Sequence, residues 1–159
     1  MAEGIDIIVA DLRKFVRGEV VVLSVNVNAD LRDAPPLGTP IDTGWASANW
    51  MPSIDAPFIS PETEVPDDLS PAQVAAARAL GLQGINELLR WDFNNGSTFS
   101  TNNVPYIRRL NEGWSNQSPT GFVQIAIERG IQRTASGAAS RANSGGRGGT
   151  STIRIGGKS

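Results

Sequence analysis

Apolar residues recur at three- and four-residue steps near the start of this chain: Ile5, Ile8, Val9, Leu12, Val16, Val20, Leu23, Val27 and Leu31. That spacing follows the turn of an α-helix and predicts one long amphipathic helix over residues 3–31 with the stripe turned inward. Asp11, Arg13, Lys14, Arg17 and Asp30 fall mostly off the stripe. A competing signal runs through residues 19–27, whose Val-rich, β-branched composition reads locally as a strand. The period decides between them, because the stripe continues unbroken through the Val run. Pro35 and Pro36 then stop the helix.

At 159 residues the chain is most simply one domain, large enough to bury a core unaided. It contains no Cys and no His, which removes disulfides, thiolate metal sites and the usual general base together. The acidic N-terminus lacks the basic and apolar regions of a signal peptide, and no apolar run approaches a membrane span. A soluble protein made in the cytoplasm is the expectation. The net charge of −2 conceals a division. Residues 1–128 hold all 16 acidic and 8 of the 14 basic residues, while residues 129–159 hold the other 6 basic residues and no acid. A split of this kind marks an interaction tail.

Residues 45–54 are expected to contain a first strand, and residues 56–69, rich in Pro and acids, an exposed loop. Ser70, Pro71 and Gln73 form a capping box with Pro at the first helical position, so a helix should run to about Arg90. Val74, Ala77, Ile85, Leu88 and Leu89 would face inward, with Gly81 and Gly84 allowing close packing. Asn94, Asn95 and Gly96 signal a turn before a strand over residues 97–101. Pro105 suits the start of a short helix that Gly113 can end in the left-handed conformation. Ser118 and Pro119 then read as the cap and first turn of a last helix over residues 119–134. The fold class expected is therefore α+β: a long N-terminal helix and further helices packed on a small, mostly antiparallel sheet. The domain would occupy residues 1–134. Residues 135–159 read as a flexible basic Gly/Ser/Arg-rich tail, with residues 150–155 β-prone.

Two blocks carry a resemblance. The first is Asn102, Asn103, Pro105, Tyr106, Ile107, Arg109, Leu110, Gly113, Ser115, Gln117, Pro119, Gly121, Phe122 and Val123; the second is Asp42, Thr43, Gly44 and Trp50 in residues 41–50. In order and spacing they resemble the minor tail or neck proteins (tail-completion or tail-component family) of long-tailed double-stranded DNA bacteriophages, over roughly residues 5–130. The resemblance implies a structural virion protein of the neck or tail, made in the host cytoplasm, with no turnover and no cofactor. Six-fold symmetry of phage tails implies a homo-hexameric ring with head-to-tail contacts. Its partners would be other neck, connector and tail proteins, with DNA a candidate occupant of the lumen and no membrane involved. Before assembly the chain is expected to be monomeric or weakly associated, since its modest aromatic content suggests no large apolar patch. The interface candidates are Trp45, Trp50, Arg108, Arg109, Trp114, Arg141, Arg147, Ile153, Arg154 and Ile155.

Each has a plainer reading. Trp45, Trp50, Trp91 and Trp114 are ordinary core residues by type. Arg108 and Arg109 point about 100° apart on a helix, so one can face solvent while the other packs its stem. Asp42-Thr43-Gly44 is also the tripeptide of aspartic proteases, but Trp45 stands where those enzymes need Ser, Thr or Ala, and they require an all-β setting. The Arg/Gly tail suggests a second function class, nucleic-acid binding, although it has no aromatic residue for base stacking. A filter-binding titration against salt separates that class from a structural role, and a peptide-cleavage assay with Asp42→Asn as control separates the protease.

Overall fold

The computed structural model describes residues 2–59 and 64–145. Helix α1 (Ala2–Arg32) is followed by a four-residue helix α2 (Trp45–Ala48), strand β1 (Met51–Ile54), helix α3 (Pro71–Leu88), strand β2 (Thr98–Thr101), a short helix α4 (Ile107–Arg109) and helix α5 (Phe122–Gly145). The two strands pair antiparallel from Met51 opposite Thr101 to Ile54 opposite Thr98. The architecture is α+β, with the predicted long helix and small sheet.

Helix α1 lies antiparallel to α5. The Arg133 guanidinium meets the buried Asp30 carboxylate at 2.7 Å, Asn26 donates to the Thr134 hydroxyl at 3.2 Å, and Arg141 pairs with Glu19. A Cβ at Gly130 would come within 2.5 Å of a Val27 methyl, so a side chain at 130 would push the two helices apart. The core forms where they meet the rest of the chain: Leu31, Trp50, Phe122 and Ala126 are buried, with Val27, Ile107, Leu110 and Val123 packed around them. Helix α3 covers β1 on its other side. There Cβ atoms at Gly81 and Gly84 would collide with the Trp50 and Pro52 carbonyl oxygens at 2.6 and 2.3 Å. Both glycines serve the close approach that the sequence suggests.

The capping box is present as predicted. The Gln73 amide donates to the Ser70 hydroxyl at 3.4 Å, and the Ser70 amide donates to Gln73 Oε1 at 2.7 Å. Other expectations need correction. The segment after Gly44 begins as helix α2, and the strand starts only at Met51. Ser118 does not cap α5, because its hydroxyl donates instead to the Gly38 carbonyl at 2.7 Å. The cap comes from Asn111, whose Oδ1 accepts from the Val123 amide at 2.9 Å. Leu89 is exposed rather than inward. Helix α5 also runs past Thr134 to Gly145, through residues that read as flexible linker. Low helix propensity is overridden there by the α1 surface, which Arg141 holds through Glu19.

The largest departure concerns α1. Its inner half is covered, but Ile5, Ile8, Leu12 and Phe15 are 62, 67, 60 and 51 % exposed. The period correctly marks a helix, yet the described part of α5 ends before reaching these residues. The expectation that the chain offers no sizeable apolar patch is thereby overturned.

One buried hydroxyl ties the elements together. Thr39, with no exposed surface, donates to the Leu31 carbonyl at 2.6 Å and accepts from the Trp50 indole N–H at 2.8 Å. The neighbouring Arg32 guanidinium donates to the Trp50 carbonyl, and burial, aided by the nearby Arg78 charge, holds its pKa below the usual arginine value. Replacing Thr39 by the similarly shaped Val orphans the indole N–H. Urea denaturation should show Thr39→Val destabilised by about 1–3 kcal/mol, the cost of one unmet buried donor. An unchanged unfolding midpoint would mean that the hydroxyl is not the clasp described.

Candidate functional site

The two sequence blocks at 41–50 and 102–123 meet. Asn102 donates to the Ala46 carbonyl at 2.8 Å, and its Oδ1 accepts from the Val104 amide at 3.1 Å, fixing the turn into α4. From the other end of the second block, Gln117 Oε1 accepts from the Ile41 amide at 2.8 Å. Between these two attachments lies an open cleft of about 330 Å³. Asp42, Thr43, Gly44 and Trp45 form one wall, and Tyr106, Leu110, Ser115 and Gln117 the other.

Local conformation explains why these residues line it. Gly44 has φ +82°, a left-handed conformation that turns the chain from the 40–43 loop directly into α2. Thr43 and Asp42 are thus left exposed at the rim, while Trp45 is carried inward to 8 % exposure. After α4 the chain widens into a loose helical turn over Leu110–Trp114, within which Gly113 has φ +95°. A Cβ at 113 would lie 2.3 Å from the Thr120 hydroxyl, so both conformation and space call for glycine. This turn throws Trp114 outward, where it is 71 % exposed with the Arg109 guanidinium 5.0 Å from its ring centroid.

The sequence candidates therefore separate. Trp50 is core, and Trp45 is buried but lines the cleft. Trp114, a core residue by type, is corrected to a surface one. Arg109 lies against Trp114, whereas Arg108 extends into solvent and pairs with Glu112 at 2.8 Å. Arg141 lies far along α5 against Glu19 and belongs to no common site with the cleft. Arg147, Ile153, Arg154 and Ile155 lie outside the described residues. Missed at the sequence level were Tyr106 and Gln117 as wall residues and Asn111 as the cap of α5. Their spacing within one block was visible, but not the fold-back that brings them to residues 41–46.

Chemically the cleft offers an apolar floor, one carboxylate (Asp42), a phenol and an amide. Asp42 is the sole acidic residue among the described residues that line it. The Tyr106 hydroxyl stays protonated above the usual tyrosine range, because burial disfavours the phenolate and the Asp42 charge disfavours it further. Such a surface suits an extended chain or a basic side chain.

Tyr106 is the single tyrosine of the chain, so its ionisation can be followed directly by ultraviolet absorbance. The folded protein should titrate above free tyrosine. Asp42→Asn should lower that midpoint only in part, since burial is the larger cause. Because the folded pKa is the raised one, this group's contribution to stability is complete below the unfolded value, about 10, and is lost as pH climbs from there through the folded value. A midpoint at the free-tyrosine value would remove the phenol from the wall of the cleft.

No protein-family model, curated protein or solved structure matches the chain.

Proposed function

We propose that this chain is a structural virion protein that completes or joins the tail at the neck of a long-tailed bacteriophage, as a subunit of a ring. The observation that carries the reading is the meeting of the two blocks. Seven of the residues on which the resemblance rests, Asp42, Thr43, Gly44, Tyr106, Leu110, Ser115 and Gln117, line one open cleft with Trp114 exposed nearby, while Trp50 and Phe122 belong to the core beneath. A subunit of a closed ring needs a pair of unlike, complementary surfaces. The cleft is the concave candidate. The Arg109–Trp114 pair supplies side chains of the types that dominate interface energetics. Turnover is not required of such a protein, since its work is the burial of repeated contacts. The homo-hexameric stoichiometry and the neighbouring neck, connector and tail proteins belong to the same proposal.

The test begins with particles produced by cells that carry this sequence. Peptide mass spectrometry of purified particles should find the chain, and immunogold labelling should place it between head and tail. Particles of full infectivity that lack it would end the proposal. Trp114→Ala should leave the melting temperature of the isolated protein nearly unchanged, because the side chain is largely exposed. The same change should cut the yield of completed particles by about tenfold or more, the scale of an interface anchor.

A further inference from the structure

The exposed apolar row of α1 has a definite direction. Stepping forward from Glu19, Asn26 and Asp30 meet α5. Stepping back by threes and fours from Glu19, which pairs with Arg141, reaches Phe15, Leu12, Ile8 and Ile5. The bare row is thus the continuation of the face on which α5 already lies. The pairs Asp30–Arg133, Asn26–Thr134 and Glu19–Arg141 set an antiparallel pace. One helical turn beyond Arg141, Gly145 comes level with about Phe15. The uncovered row begins where the described part of α5 ends.

The chain that follows, residues 146–159, has the complementary composition. Residues 2–12 contain Glu3, Asp6 and Asp11 and no base, while residues 146–159 contain Arg147, Arg154 and Lys158 and no acid. The large apolar residues of that segment are Ile153 and Ile155, which share one side of an extended chain, with Ser151 on the same side. Reach is sufficient. The helix from Phe15 to Ile5 covers about 15 Å, and the residues from 145 to 153 can span up to about 27 Å. Running on in the direction of α5, such a segment would set Ser151 near Leu12, Ile153 near Ile8 and Ile155 near Ile5.

We propose that residues 146–159 fold back within the same molecule over the outer half of α1, with Ile153 and Ile155 covering the apolar row and the basic side chains meeting Asp11 at its edge. The proposal concerns the isolated chain and does not depend on the virion reading.

The cysteine-free sequence allows a clean test by disulfide trapping in the full-length protein. Leu12→Cys with Ser151→Cys is compared with Ala10→Cys with Ser151→Cys. Positions 10 and 12 differ by about 200° around the helix and hardly at all in distance from the tail, so reach is controlled. Both native side chains are exposed, so neither substitution opens the core. On oxidation at low protein concentration, the Leu12 variant should form an intramolecular disulfide at monomer mass about tenfold faster than the Ala10 variant. Adding Asp11→Lys should reduce that advantage. Equal rates for the two faces would overturn the proposal. So would disulfides that join two chains, which would assign the row to a second copy.

Discussion

The fold depends on what happens where α1 stops. A helix of 31 residues leaves free carbonyls at its end, and one of them, that of Leu31, is buried in the core. The Thr39 hydroxyl and amide both donate to it, at 2.6 and 3.2 Å, and the same hydroxyl receives the Trp50 indole N–H. Because Trp50 precedes β1 directly, the clasp fixes the strand relative to the helix. Gly38, beside Thr39, accepts from Ser118, so the loop after α1 also anchors the segment that leads into α5. Three regions distant in sequence are thereby held by two hydroxyls, and residues 41 and 117, joined across the cleft at one end of its walls, each lie close along the chain to that clasp.

How much of this was legible in the sequence depends on the range of the physics involved. The helical period of α1 and the Ser70–Gln73 capping box are local, and both survive folding intact. Gly113 is legible for the same reason, since a backbone at φ +95° accepts few other residues. Ser118 fails as a cap because a buried carbonyl 80 positions away competes for its hydroxyl, leaving Asn111 to bond the first turn of α5. Gly44 takes a left-handed conformation in the structure, and helix rather than strand follows it, with Trp45 and Ala48 packed inward. The helical stretch of α5 after Thr134 has the composition of a linker; only the presence of α1 alongside makes it a helix. The candidate site was visible as two blocks and invisible as a cleft. No pattern within either block states that Gln117 will reach the Ile41 amide.

The tryptophans show how residue type and position part company. Trp45, Trp50 and Trp91 are buried, two of them with the indole N–H given to Thr39 and to the Gly96 carbonyl. Trp114 has the same chemistry, yet the left-handed Gly113 places it outside, with a guanidinium for company. A large aromatic kept in water is informative in a way that the buried ones are not.

The two unequal halves of α1 also bear on how the helix comes to exist. A segment of Ile, Val, Gly and Asp as short as its outer half would not hold a helix by itself, since starting one costs more than its few hydrogen bonds return. In the folded protein that start is never made there. The inner half, clamped by α5, the sheet and the Thr39 clasp, presents a finished turn onto which each further residue need only be added. The outer turns are therefore a propagated structure, and amide protons along α1 should exchange with solvent in a gradient from Leu31 outward, opening from the free end inward.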